Sequence, residues 1–166
     1  NGYDALIRAA FTDVVGDPDR LIALLRYLVD QGVSLSGVTT YSESAVRVLA
    51  RTGKFEAVSF LLRAGADRAQ LSWTALHEAA ALGTRADVER AIAAGEPLEA
   101  TDSWSRTPWL LAVLGGDTPK AELLAEKGCN TSARGHCGQS ALQLAVVGGK
   151  TAMLSWLLQR GEDVNQ

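Results

Sequence analysis

Glycine recurs along this chain at intervals that few folds can accommodate. Gly32, Gly65, Gly95, Gly128 and Gly161 are separated by 33, 30, 33 and 33 residues, and Gly53, Gly83, Gly116 and Gly149 repeat the 30, 33 and 33 steps. Nine of the 16 glycines stand on these two ladders, so a repeated unit rather than scattered loops organises the sequence. A glycine just past an apolar periodic run supplies the left-handed conformation that ends a helix without a Cβ clash. Two ladders then predict two short helices per unit.

The residues between the glycines agree. Apolar residues at helical spacing precede the first ladder: Leu21, Ile22, Leu25, Leu28 and Val29; Val58, Leu61 and Leu62; Val88, Ala91 and Ile92; Leu154, Leu157 and Leu158. These are the second helices of their units, each with one buried stripe. The first helices start at Ser44-Ala45-Val46, Thr74-Ala75-Leu76, Thr107-Pro108-Trp109 and Ser140-Ala141-Leu142, where a hydroxyl caps the helix and a small residue or proline follows. Asp17-Pro18 and Thr118-Pro119 place the same signal at the start of two second helices.

Thr74-Ala75-Leu76-His77-Glu78-Ala79-Ala80, running on to Gly83, resembles the Thr-Pro-Leu-His motif of ankyrin repeats, whose unit is a turn followed by two antiparallel helices. Thr107-Pro108-Trp109 and Ser140-Ala141-Leu142 are variants of it, and the likeness extends over nearly the whole chain. The resemblance implies an all-α solenoid of about five helix-turn-helix repeats joined by β-turn or hairpin loops. The expected layout is one domain over 1–166, with repeats at roughly 1–37, 38–68, 69–101, 102–134 and 135–166. Tetratricopeptide repeats have a similar period, but their Trp, Leu-Gly and Tyr pattern is absent.

Two departures interrupt the register. Asp4 and Ser44 lie 40 residues apart rather than 33, which puts extra residues near Val14-Val15-Gly16. Gly65 to Thr74 spans 9 residues where the equivalent stretches span 12, so the second inter-repeat turn is three residues short. The chain opens Asn1-Gly2-Tyr3 without Met, from which removal of upstream residues is expected. It stops at Val164-Asn165-Gln166 with no visibly polar closing helix, so either Ala141–Val147 and Ala152–Gln159 cap the stack or the array is longer.

Composition removes several function classes. A net charge of -3, with 16 Lys and Arg spread along the chain, leaves no basic block for phosphates, and nucleic acid is not an expected partner. No apolar run approaches the ~20 residues of a membrane span, and no membrane partner is expected. Two cysteines, Cys129 and Cys137, do not make a disulfide framework. The cytoplasm is the expected compartment, with periplasm or secretion the alternative. Twelve Arg against 4 Lys, with abundant Ala, suit a high-GC bacterial source.

No catalytic constellation emerges, and no enzyme, cofactor or metal is expected. His77 and Glu78 are adjacent and point about 100° apart on a helix; the resemblance implies instead that His77 hydrogen-bonds across neighbouring turns. Cys129, His136 and Cys137 are one ligand short of a closed zinc site, at the wrong spacing. Gly115-Gly116-Asp117 and Gly148-Gly149-Lys150 lack the spacing and preceding strand of a phosphate loop.

Recognition remains as the expected function. The tryptophans divide by register: Trp109 stands where Leu6, Val46, Leu76 and Leu142 stand in the other repeats and belongs to the core, and Trp156 to the core or its edge, whereas Trp104 and Tyr41 lie in inter-repeat turns. Solenoids bind on the concave surface made by turn tips and inner helices, and Trp and Tyr dominate interface hot spots. The expected protein-binding residues are Tyr41, Glu43, Leu71, Trp73, Trp104, Arg106 and Gln139 from the turns, with Arg51, Leu82 and Leu114 from the ends of first helices. Trp73 lies in the shortened turn, where register is least secure. The chain reads as a noncatalytic module for a protein or peptide partner, of the kind found in bacterial effectors, adaptors and toxin-neutralising proteins; the alternative is a regulatory or substrate-recruiting array from a multidomain enzyme.

Overall fold

A computed structural model describes residues 2, 4–12 and 17–163. The inserted segment at Val14-Val15-Gly16 and the terminal Val164-Asn165-Gln166 lie outside the described residues. Among those described there are ten α-helices and no strand: α1 (Ala5–Phe11), α2 (Pro18–Asp30), α3 (Ala45–Arg51), α4 (Phe55–Arg63), α5 (Ala75–Leu82), α6 (Arg85–Ala93), α7 (Pro108–Gly115), α8 (Thr118–Glu126), α9 (Ala141–Val147) and α10 (Thr151–Gln159). The expected two helices per unit are present throughout, the first of 7 or 8 residues and the second longer.

The chain divides into two compact units at Leu71 and Ser72. In the first, α1 packs on α2 and α3, α4 packs on α2 and α3, and the 3-10 helix Arg68–Leu71 lies against α3. Leu6, Ile7, Leu25, Val46, Leu49, Val58 and Leu61 fill its core. In the second, α5, α7 and α9 stack in order, and each also packs on its own second helix, α6, α8 or α10. Leu76, Val88, Trp109, Leu110, Leu111, Leu124, Leu144 and Met153 are its buried centre.

Helix starts follow the hydroxyl signal. Ser44, Thr74, Thr107 and Ser140 each accept a hydrogen bond from the backbone N–H three residues on, one of the donors that a helix start leaves without a partner. Asp17 caps α2 ahead of Pro18 as expected. At α8 the cap is Asp117 rather than Thr118. Its carboxylate accepts from Lys120 N at 3.1 Å, and Pro119, which has no N–H, sits harmlessly in the first turn.

Helix ends follow the glycine ladders, with one exception. All five glycines after second helices have φ between 78° and 105°, and Gly53, Gly116 and Gly149 between 65° and 77°. Gly83 has φ −89° and ψ −174°. Thr84 caps α6 directly after it, just as Lys54, Asp117 and Lys150 follow the three left-handed glycines, so the length of the link does not set Gly83 apart. Gly83 instead serves through its missing side chain, since a Cβ would lie 3.0 Å from Ala79 backbone and Asp87. Gly128, at φ 89° in open space, isolates the conformational effect. Gly128→Val should destabilise by more than the ~1 kcal/mol scale of helix propensity, because a β-branched residue resists positive φ; chemical denaturation beside Gly128→Asn, which tolerates that region better, checks it.

Candidate functional site

The inter-repeat turns hold most of the expected binding residues, and their geometry follows from four hydrogen bonds. In the first unit Thr39 N donates to Glu43 O (2.8 Å) and Ser42 N to Thr39 O (2.9 Å), while Thr39 Oγ1 accepts from the Tyr41 and Glu43 amides. In the second unit Asp102 N donates to Arg106 O and Ser105 N to Asp102 O, both at 3.0 Å, and Asp102 Oδ1 accepts from the Trp104 and Arg106 amides at 2.8 and 2.9 Å. A short polar side chain at the first position thus ties both arms of a tight turn. Gly135 and Gly138 repeat the backbone pair in the last turn. The shortened turn departs from this plan: lacking three residues, it closes as the 3-10 helix Arg68–Leu71.

The frame forces positive φ beside the tip. Ser42, Ser72 and Ser105 have φ of 59°, 54° and 56°, and both Cys137 and Gly138 are positive in the last turn. Tyr41 and Trp104, next to Ser42 and Ser105, are held at the apex of their turns. Tyr41 is 77% exposed there. Trp104 is half-buried; its ring meets that of His136 edge-on at 4.9 Å, and its carbonyl accepts from His136 N at 2.8 Å.

Several expected surface residues are corrected by burial. Arg106 is 2% exposed, because its guanidinium folds back onto Asp102 Oδ2, with Nε at 3.0 Å and Nη2 at 2.7 Å. Leu114 is 0% exposed: α7 is apolar on every side and is enclosed from Pro108 to Leu114. Leu71 is buried because the 3-10 helix turns it inward toward α3. Trp73 and Leu82 are half-buried, and Trp73 Nε1 donates to Asp102 Oδ2 at 3.3 Å. Glu43 and Arg51 are within 3.8 Å of each other, and the Arg51 guanidinium lies 5.5 Å over the Phe11 ring. Gln139 is half-buried. In the first unit, therefore, Tyr41 remains accessible, Arg51 is half-buried and the Glu43 side chain is only 14% exposed; in the second, Trp73, Leu82, Trp104 and Gln139 remain accessible in part.

Asp102, which the sequence reading did not single out, organises the second unit's turn. It accepts from two amides, the Trp73 indole and the Arg106 guanidinium, and both members of the ion pair are buried. A buried pair survives only when its remaining lone pairs and protons are satisfied, and here they are. His77 joins the same cluster from α5. Its Nδ1 receives the Thr74 backbone N–H at 3.2 Å, which can only donate, so the proton resides on Nε2, which donates to Arg106 O at 3.0 Å. Burial pushes the His77 pKa below its ordinary value of 6.5, against the contrary pull of the Arg106 carbonyl.

This neutral histidine has a pH consequence. A folded-state pKa below the unfolded one makes the unfolded chain the better proton binder, so the stability His77 contributes is complete above pH 6.5 and is lost as pH falls toward the folded value. Wild-type Tm should drop below pH 6.5 more steeply than that of His77→Gln. Parallel Tm curves for the two proteins would contradict the assigned proton.

A second buried polar side chain was also missed. Lys120 of α8 is 4% exposed; its Nζ donates to Ala80 O (2.8 Å) and Gly83 O (3.0 Å) at the end of α5 and pairs with Asp117 at 3.1 Å. Burial pushes the Cys129 thiol up to about 12, far from the thiolate that metal ligation needs. Cys137 is exposed, and both cysteines are free. Among the described residues no three His, Cys, Asp or Glu side chains converge as a metal site, and no helix is long and apolar enough to cross a membrane.

Short paired helices, hydroxyl-capped first helices and tight turns recur on a period of about 33 residues, and α5 adds the Thr74–His77 link. A family model described as ankyrin repeats (3 copies) matches residues 76–166, more than half of the sequence. The chain belongs to the ankyrin repeat family.

Proposed function

We propose that the chain is a noncatalytic recognition module that takes a protein or peptide on its concave face through turn tips and the ends of first helices. Ankyrin repeats are generally protein–protein interaction modules, and the reading narrows that role to particular residues. The observation that carries it is Tyr41: a large aromatic side chain, 77% exposed, on a turn fixed at both arms by Thr39. An aromatic with no burial of its own, on a preorganised support, loses little entropy on binding and offers a large contact area. Beside it the half-buried Arg51, 3.8 Å from the largely buried Glu43, provides a charged rim. Trp104 plays the corresponding part in the second unit with less exposed surface. A bacterial effector, adaptor or toxin-neutralising role fits this chemistry, with the partner met in the cytoplasm.

Tyr41→Ala tests the reading. Melting should be nearly unchanged, because the side chain has little packing to lose. Affinity for the cognate partner should fall by at least about tenfold, the effect of a hot-spot side chain. Affinity capture from the source organism with wild-type and Tyr41→Ala baits, quantified side by side, would give proteins retained by the first and depleted from the second. Identical capture by both baits would exclude this turn as the contact.

A further inference from the structure

Helix α5 is fastened at both ends by buried side chains of unlike chemistry. At its last turn Lys120 Nζ donates to Ala80 O and Gly83 O, and an ammonium has donors only, so its role there is fixed. At its first turn His77, 0% exposed, accepts the Thr74 N–H on Nδ1 and donates from Nε2 to Arg106 O. Imidazole exchanges an acceptor for a donor by taking one proton. The other first helices of this unit do without that capacity at the same position, the third after the cap. In α9 Gln143 Oε1 accepts the Ser140 N–H at 2.9 Å, and in α7 the residue is Leu110. What histidine adds in α5 is the bond to Arg106, into the turn that carries Trp104.

A proton on Nδ1 would set that N–H against the Thr74 N–H, donor to donor. Thr74 Oγ1, 3.0 Å from Nδ1, can accept it, but the Thr74 amide is then stranded at the helix start. The imidazolium would also be enclosed beside the buried Arg106 guanidinium. Asp102, the counter-charge in the same turn, already accepts from that guanidinium, the Trp73 indole and two amides. The helices packed on α5 bring no further compensation. α7 carries no charge from Pro108 to Gly115. α6 carries Arg85, Asp87, Glu89 and Arg90; all but Asp87 are exposed, and Asp87 lies by Gly83 at the far end of α5. Glu78, the next residue on α5, does not face His77. Water reaches the charged ring when the start of α5 and the 102–106 turn part. We propose that this joint is an acid-sensitive latch: below neutral pH the Trp73–Thr74 and Trp104–Arg106 segments open together, while Lys120 keeps the far end of α5 docked. Given the recognition role proposed above, on which this consequence rests, acid dismantles the part of the binding surface built on Trp73 and Trp104.

The test is amide hydrogen exchange, read residue by residue by NMR on the 166-residue chain from pH 7.5 to 4.5, each rate corrected for the intrinsic pH dependence of exchange. A parted joint leaves His77 in water at its ordinary 6.5, whereas burial holds the closed value lower. The open state is then the better proton binder, and opening gains up to about tenfold per pH unit below 6.5. Protection of the Thr74, Trp104 and Arg106 amides should fall at least about tenfold over the range, while that of Leu111 and Val113 in α7 falls far less. His77→Gln, on the pattern of Gln143, should abolish the step. His77→Leu, on the pattern of Leu110, should do the same and serves if the first variant folds poorly. His136, the other of the two histidines, remains in both variants, so a step that persists there belongs to another group and overturns the proposal. Protection of α7 lost in step with Thr74 would mean global unfolding rather than a latch, and unchanged protection would mean no latch; either result overturns it. None of these readouts needs a partner, so failure of the latch and failure of the recognition reading are separate results.

Discussion

Asp102→Ala is expected to destabilise the protein by about 3–5 kcal/mol, the scale set by removing one partner of a buried ion pair. The loss has two parts. Arg106 would keep its positive charge in a site where its side chain is 3% exposed, and the Trp104 and Arg106 amides would lose the acceptor that ties the turn. A double variant separates them. Asp102→Thr with Arg106→Leu keeps a capping oxygen, on the pattern of Thr39, while removing both charges, and should recover much of the loss because neutral replacement of a buried pair is often nearly neutral. Urea denaturation of the three proteins checks the order: wild type and the double variant close together, Asp102→Ala far below. Should the single variant lose less than ~1 kcal/mol, the pair is not the organiser that its geometry indicates.

Trp109→Ala is expected to be comparably severe. Trp109 is 1% exposed and lies on α7, a helix with no solvent face over Pro108–Leu114. Truncating a buried Trp to Ala leaves a cavity that costs about 3–5 kcal/mol, a large share of the 5–15 kcal/mol that ordinarily holds a domain folded. The indole N–H is buried without a hydrogen-bond acceptor among the described residues. Trp109→Phe should therefore be far milder, since it removes an unsatisfied donor along with part of the volume. Thermal melts of the two variants give the comparison. A Phe variant as unstable as the Ala variant would mean that the indole makes a polar contact after all.

Helix ends were legible in the sequence because each depends on one residue's own conformational range. A glycine at φ near 90° needs no knowledge of the rest of the chain, and neither does a threonine capping the helix it precedes. The exception, Gly83, has the same neighbours in sequence order as the others, a helix end before it and a helix cap after it, and its extended conformation was not legible locally. The positive-φ positions beside the turn tips could have been found the same way: Ser42, Ser72, Ser105 and Gly138 are spaced 30, 33 and 33 residues apart, so the glycine marks what the serines must adopt.

Burial of long polar side chains was not legible, because it depends on residues far off in sequence. Arg106 and Gln139 occupy equivalent places, and the local difference between them is Asp102 where the last turn has Gly135. Only Asp102 four residues before, with Trp73 and His77 each 29 residues from the group they contact, draws the arginine inward. Leu114 was misplaced for a related reason. A first helix normally presents one face to solvent, and the seven apolar or small residues from Pro108 to Leu114 erase the periodicity that would have named that face.

The two bonds from Lys120 to the end of α5 join α8 to a helix one repeat earlier, and His77 reaches the following turn from the other end of the same helix. In a linear array, folding is governed by how strongly each repeat depends on its neighbour. Here α5 cannot unravel at its last turn without stranding a buried ammonium, nor α8 detach without exposing two carbonyls. The third and fourth repeats are thereby clamped into one thermodynamic unit, and a state with only one of them formed should be scarcely populated. The fifth repeat has Met153 in place of that lysine and is tied to the fourth differently, by Trp156 Nε1 donating to Glu122 Oε1 at 2.9 Å and by His136 N donating to Trp104 O, so the two couplings in this half of the molecule rest on different chemistry.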